Sequence, residues 1–263
     1  MKIVYSHWSL GKEPFKEMVA CSNRLAQAHG YETILYTDKK GEEDLKNIKF
    51  SEIRRFPDKL HKVSKRVWSL GKLAAMSDMD EPFFHIDQDL FLYRDVLKSL
   101  RNNDFVCFHQ EPGAEGYLDL FRIKKHFKNV QPASLENDYE IKSYNFAVVG
   151  GLAYKTIKQV TSEILDVCIE KKEIFETFGD RPDDHHKMAI FAEQVWIPAV
   201  MIKNNIYPSF VLDLPVNEDT KKNYLQLIRD TAKKVGVAHF WTGSKSKYRQ
   251  EIIAYAKKLG VSY

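Results

Sequence analysis

The chain has 263 residues, 44% of them hydrophobic and 29% charged, with a formal net charge of +4. That length holds one sizeable core, and the composition is that of an ordinary globular domain. The mild positive charge fits a phosphorylated partner, while the lack of an arginine-rich run or zinc-finger spacing argues against nucleic acid.

Residues 2–5 read as a short apolar strand at the start of the chain. Residues 14–29 show helical spacing through Phe15, Met18, Val19, Leu25 and Ala26, and Gly30 is well placed to end that helix. A second strand follows over 31–36 and closes at Thr37-Asp38; 50–56 supplies a third, 63–76 a helix and 82–86 a fourth strand. This βαβαβ order predicts an α/β fold with a mostly parallel central sheet flanked by helices. In such sheets ligands gather beyond the carboxyl ends of the strands. Tyr5-Ser6, Asp38 and Asp87-Gln88-Asp89 all fall there.

The stretch Phe83-Phe84-His85-Ile86-Asp87-Gln88-Asp89-Leu90-Phe91-Leu92 carries the most chemistry. An apolar strand delivers two aspartates one residue apart, and residues i and i+2 of a strand share a face. Adjacent carboxylates repel unless a positive charge lies between them. A divalent cation such as Mg²⁺ or Mn²⁺ is the simplest such partner, and it keeps positions open for phosphate oxygens. The bland alternative is one aspartate capping a turn while the other faces water. The apolar flanks weigh against it, because charged groups are seldom buried without a partner.

Residues 104–109 form a further short strand, and the pattern loosens over 111–138, which reads as an insertion beside the site. Strand character returns over 141–151, where Asn145 enters an apolar run ending in Gly150-Gly151. Asn offers donors and acceptors for sugar hydroxyls, and paired glycines let backbone approach a ligand or turn sharply; a satisfied Asn before a tight turn is the equal alternative. Helices follow over 156–171 and 185–203. The second carries Glu193-Gln194 ahead of an apolar stretch, a pair that on exposure statistics alone reads as helix surface. A strand over 206–212, a helix over 218–234, a strand over 235–240 and a helix over 246–259 complete the order. His239 ends that last strand, followed by Gly243 and Lys245. A neutral imidazole can complete a Mn²⁺ site, and a lysine can hold a diphosphate.

Asp87-Gln88-Asp89, Asn145 with Gly150-Gly151, Glu193-Gln194, and His239 with Gly243 and Lys245 occur in that chain order. Together they resemble the metal-dependent, nucleotide-sugar glycosyltransferases of the GT-A (Rossmann-like) fold, in particular the glycogenin and lipopolysaccharide-galactosyltransferase family. The resemblance implies one domain over 1–263, with a nucleotide-binding half over about 1–110 and an acceptor and closing half over about 111–263. It implies Mn²⁺ or Mg²⁺ on Asp87, Asp89 and His239, and a UDP-sugar donor whose diphosphate meets Gly243 and Lys245. Tyr5, Ser6 and Lys72 are implied at the uridine, and Glu193, Gln194 and Asn145 at the reacting sugar. The acceptor is implied to be a saccharide or glycolipid. The late motif reads H-x-x-x-G-x-K, where the family has H-x-x-G-x-x-K-P-W, and Ala147 stands where the family commonly has Gly.

Other readings are weaker on the residues. A nucleotidyltransferase needs a glycine-rich basic loop after the first strand, where this chain has Ser6-His7-Trp8-Ser9-Leu10-Gly11-Lys12. An aspartyl phosphatase places its D-x-D on the first strand. A nucleotide- or carbohydrate-binding protein without activity is the non-enzyme alternative. Cys21, Cys107 and Cys168 are widely spaced and read as reduced thiols of a cytoplasmic protein. No signal peptide and no apolar run of the ~20 residues that span a bilayer is present, which leaves peripheral contact with the inner membrane face as the closest membrane association expected.

Overall fold

Strand β1 (Lys2–His7) is the hub of the sheet. A computed structural model describes residues 1–10, 14–64, 67–111, 143–173, 189–213, 224–240, 244–261 and 263. Within them, β1 leads to helix α1 (Lys16–Ala28), strand β2 (Thr33–Thr37), helix α2 (Lys39–Asp44) and strand β3 (Glu52–Arg55). Helix α3 (Leu70–Asp78) precedes β4 (Phe83–Ile86), and β5 (Leu90–Leu92) follows almost at once. Strands β6 (Phe105–Gln110) and β7 (Tyr144–Gly151) then lead to helix α4 (Tyr154–Glu170). A π-helical turn (Phe191–Trp196) runs into α5 (Ile197–Lys203), then β8 (Pro208–Phe210), α6 (Tyr224–Lys234) and β9 (Val237–His239). Helices α7 (Ser244–Lys247) and α8 (Arg249–Leu259) close the order, with Gly260 at φ +64° ending α8 in a left-handed cap.

Seven strands form one sheet in the order β3-β2-β1-β4-β7-β6-β8. Six run parallel and β7 alone runs against its two neighbours. The mostly parallel α/β sheet expected from the sequence is thus present. The strand periodicity divides the core between its faces. Val4, Ile34, Tyr36 and Phe83 pack with α3, α4 and α5 on one side. Ile3, Tyr5, Leu35, Phe84 and Ile86 pack with α1 on the other.

Two features of this topology place the site. Because β7 is antiparallel, its first residues run past the carboxyl end of β4: Ile86 pairs with Val148, and the Asp87 N–H donates to the Ala147 carbonyl at 2.9 Å. A two-stranded antiparallel ribbon, β5 with β9, pairs Leu90 with His239. The Phe240 N–H donates to the Asp89 carbonyl at 2.9 Å, which clamps the end of that ribbon to the D-x-D turn.

Gly150 and Gly151 serve the sheet. They lie inside β7 at φ +156° and +128°, and a Cβ on Gly150 would stand 2.0 Å from the Phe83 carbonyl oxygen. On Gly151 it would stand 2.4 Å from the Asp104 carbonyl oxygen. Close approach of the neighbouring backbone requires these glycines, which act neither as a tight turn nor as a ligand surface.

Candidate active site

The carboxyl ends of β1 and β4, the start of β7, the π-helical turn and the end of β9 converge on one point. Asp87 and Asp89 leave β4 in a turn, with the Leu90 N–H donating to the Asp87 carbonyl at 3.0 Å. His239 is delivered by the β5–β9 ribbon. Its Nε2 lies 3.8 Å from Asp87 Oδ2 and 3.4 Å from Asp89 Oδ1. One ligand atom from each of the three residues falls within 4.8 Å of the others.

The second oxygen of each carboxylate is already taken by a lysine. Lys72 Nζ, from α3, donates to Asp87 Oδ1 at 2.7 Å, and Lys245 Nζ, from α7, to Asp89 Oδ2 at 2.6 Å. This division leaves Asp87 Oδ2, Asp89 Oδ1 and His239 Nε2 facing one another. Two atoms that each lie about 2.1 Å from one ion are themselves about 3 to 4 Å apart. The observed spacings and the two-carboxylate, one-imidazole donor set therefore fit a hard-to-borderline divalent cation such as Mn²⁺ or Mg²⁺.

The electrostatics follow from burial and these partners. Burial alone would raise the Asp89 carboxyl, yet His239 and Lys245 outweigh it and hold the group well below the usual carboxylate range. Burial works against the Lys245 ammonium, and Asp89 more than restores it, so its pKa is raised.

Lys72 is 6% exposed, and it also donates to Glu193 Oε1 at 2.6 Å and to the Phe146 carbonyl at 2.9 Å. An ammonium has three protons, and all three are committed within the protein. Burial opposes its charge, but Asp87 and Glu193 raise its pKa nonetheless. Glu193 is 1% exposed, and among the described residues its Oε2 has no hydrogen-bond partner. Burial pushes its carboxyl up to about 7, against the pull of Lys72. Glu193 reaches inward from the π-helical turn. That turn ends where Pro198, lacking an N–H, cannot donate to the carbonyl of Gln194 four residues back. Such π turns are frequent at functional sites.

The other expected site residues divide. Ser6 lies at the end of β1, its Oγ hydrogen-bonded to His85 Nε2 at 2.9 Å and its carbonyl accepting from Gln88 Nε2 at 2.6 Å. Asn145 is half-buried beside the β4 terminus; its Nδ2 donates to Glu111 Oε1 and its Oδ1 accepts from the Ala147 N–H, both at 2.9 Å. Gln194 is half-buried next to Glu193. Tyr5 points to the opposite face of the sheet, fully buried against α1 with its hydroxyl 3.2 Å from Ser22 Oγ. Strand alternation imposes this: if Ser6 faces the site, Tyr5 cannot. The structure also draws Lys72 from the uridine position expected of it into the carboxylate network. The expected surface placement of Glu193 is overturned by its burial. Gly243 and almost all of the 111–138 segment lie outside the described residues.

Sequence reading missed the partners more than the residues. Gln88 was passed over between the aspartates, although its amide ties the D-x-D turn to β1. His85 lies under Ser6, its Nε2 hydrogen-bonded to the Ser6 hydroxyl, with burial holding it well below the ordinary histidine value. For His85, a polar residue inside an otherwise apolar strand is the available signal.

Among the described residues no helix is long and apolar enough to cross a membrane. A family model described as a family of unknown function, DUF6734, matches residues 1–263. No curated protein matches the sequence. Among solved structures, the galactosyltransferase LgtC, crystallised with donor and acceptor sugar analogs, is 12% identical, with 100% of this chain and 98% of that chain covered at a TM-score of 0.48. The apo-form glycosyltransferase GlyE of Streptococcus pneumoniae TIGR4 is 10% identical, covering 97% of this chain and 60% of its own at 0.46. Mouse xyloside xylosyltransferase 1 is 9% identical, covering 90% and 96% at 0.42.

Proposed function

This chain belongs to the DUF6734 family, and we propose that it is a glycosyltransferase that moves a sugar from a nucleotide-sugar, a UDP-sugar in the first instance, to a saccharide or glycolipid acceptor with a divalent cation, Mn²⁺ or Mg²⁺. The observation that carries this reading is the convergence of Asp87 Oδ2, Asp89 Oδ1 and His239 Nε2, each carboxylate being held through its other oxygen by a lysine. It is supported by the order of site residues that the sequence shares with the glycogenin-like enzymes, and by their meeting at the carboxyl ends of a mostly parallel sheet.

Asp87, Asp89 and His239 would hold the cation, which when bound would supply charge stabilisation to a diphosphate leaving group. Lys245, which pairs with Asp89 Oδ2, would offer a second positive contact for the same phosphates. Lys72 keeps Asp87 in one orientation, so the ligand set is organised before the donor arrives. Glu193, Gln194 and Asn145 provide the polar groups on the sugar side. Ser6, near the end of β1 and held by His85 and Gln88, would meet the nucleoside. The three cysteines are free and buried, in keeping with a reducing, cytoplasmic setting.

Calorimetric titration with UDP, with and without Mn²⁺, on the wild type and Asp89→Ala tests this reading. Wild-type binding that Mn²⁺ strengthens, and the loss of that Mn²⁺-dependent gain in Asp89→Ala, are expected. Equal UDP binding by wild type and Asp89→Ala in Mn²⁺, or no binding by either, would sink it.

A further inference from the structure

The two lysines on the aspartates differ in a way that separates their roles. Lys72 is 6% exposed and its three donors are spent on Asp87, Glu193 and the Phe146 carbonyl. It cannot leave without stranding two carboxylates in the interior. Lys245 is 33% exposed, with Asp89 Oδ2, at 2.6 Å, as its carboxylate partner. Its side chain has water on one side and can change partner at little cost. Asp89, by contrast, has a side chain only 10% exposed and needs a cation beside it at all times.

From this asymmetry we infer that Lys245 is a displaceable counter-ion: it neutralises Asp89 when no divalent cation is bound, and is released to an anionic ligand, a diphosphate, when the cation takes over that carboxylate. The inference rests on the proposed donor site and adds a coupling to it. Without metal, the lysine that would meet the phosphates is committed to Asp89. With metal, Asp89 turns its charge to the ion and the ammonium is freed at the edge of the site. Cation and diphosphate then favour each other through one side chain, in addition to any direct contact between them, and the linkage is reciprocal.

The test uses UDP as the probe in a chelator, so no metal takes part. Wild type is expected to bind UDP weakly there. Asp89→Asn removes the charge that holds Lys245 and is expected to bind metal-free UDP roughly tenfold more tightly, within the usual range of coupling between sites. The gain should vanish in Asp89→Asn/Lys245→Met. A second measurement takes Mn²⁺ as the probe, followed by electron paramagnetic resonance of the free ion. The factor by which UDP tightens Mn²⁺ should fall in Lys245→Met and persist in Lys245→Arg. No gain in Asp89→Asn, or a gain that survives in the double variant, would overturn the inference, as would an unchanged Mn²⁺–UDP factor in Lys245→Met. In either case Mn²⁺-dependent UDP binding by the wild type would leave the donor-site reading standing. Its absence would remove both.

Discussion

Lys72 and Glu193 meet at 2.6 Å, exposed by only 6% and 1%, although they lie 121 positions apart in the chain. A pair so deeply buried is costly to form and costlier to break. Its presence beside Asp87 says that the α3 and π-turn elements are fastened to the D-x-D turn by charge as well as by packing.

Replacing Lys72 with Met should therefore destabilise the fold by about 3–5 kcal/mol, because it leaves Glu193 and Asp87 without their cation. Lys72→Met/Glu193→Gln should recover part of that loss, since one stranded charge has gone. Urea unfolding of Lys72→Met, Glu193→Gln, the double variant and the wild type measures both steps and closes the cycle. A double variant as unstable as the sum of the singles would mean that the pair does not act as a unit.

The same glutamate gives the metal-free protein a pH signature. Burial lifts its carboxyl from the ordinary 4.5 to about 7. Between those values the native state holds a proton that the unfolded chain has lost, so this group's contribution to stability falls as pH rises through that window. His7 and His85, whose pKa values burial lowers, act in the opposite sense. The clean measurement is thus the difference between wild type and Glu193→Gln in unfolding midpoint from pH 4.5 to 7.5. The wild type should lose ground relative to the variant as pH rises. A flat difference would show that Glu193 is ionised throughout.

Of the three proposed ligands, His239 is the one whose removal least disturbs the carboxylates, since Lys72 and Lys245 remain on them. His239→Ala should lower Mn²⁺ affinity by on the order of ten- to a hundredfold, the loss seen even when an outer partner of a metal site is removed. Calorimetry with Mn²⁺ in the presence of UDP reads this directly. Wild-type affinity in the variant would exclude the imidazole from the ligand set.

Gly150→Ala should cost at least about 3 kcal/mol, from backbone strain at positive φ together with the displacement of β4. The thermal midpoint measures it. The site lies just beyond β4, so the variant should also weaken Mn²⁺ binding before it unfolds.

The sequence declared its first strands and helices plainly, because apolar runs between Gly, Pro and Asp breaks define a βαβαβ order without outside help. It declared the aspartate pair for the same reason: two charges interrupt an apolar run. The reversed direction of β7 was not legible, since an antiparallel strand that is buried on both faces has the same apolar look as a parallel one. The β5–β9 ribbon was hidden too. Each of its strands is three residues long, and Leu90-Phe91-Leu92 reads as a continuation of the strand before it. Helix α2 has the sequence Lys-Lys-Gly-Glu-Glu-Asp, with no apolar period to reveal it, and only the Asp38 cap, accepting from the Gly41 N–H at 2.8 Å, marks its start. Lys72 and Glu193 were singled out for a ligand, whereas their shared burial is a property of pairs that no single position displays.

The ribbon that joins Leu90 to His239 also sets a timetable. On the ribosome Lys72 emerges ahead of Asp87 and stands ready to neutralise it. Asp89 is made long before the strand that brings its imidazole and the helix that brings its ammonium. The pairing of β5 with β9 and the reach of α7 enclose Asp89, so the proposed metal site needs the aspartates of β4's turn and these much later residues together.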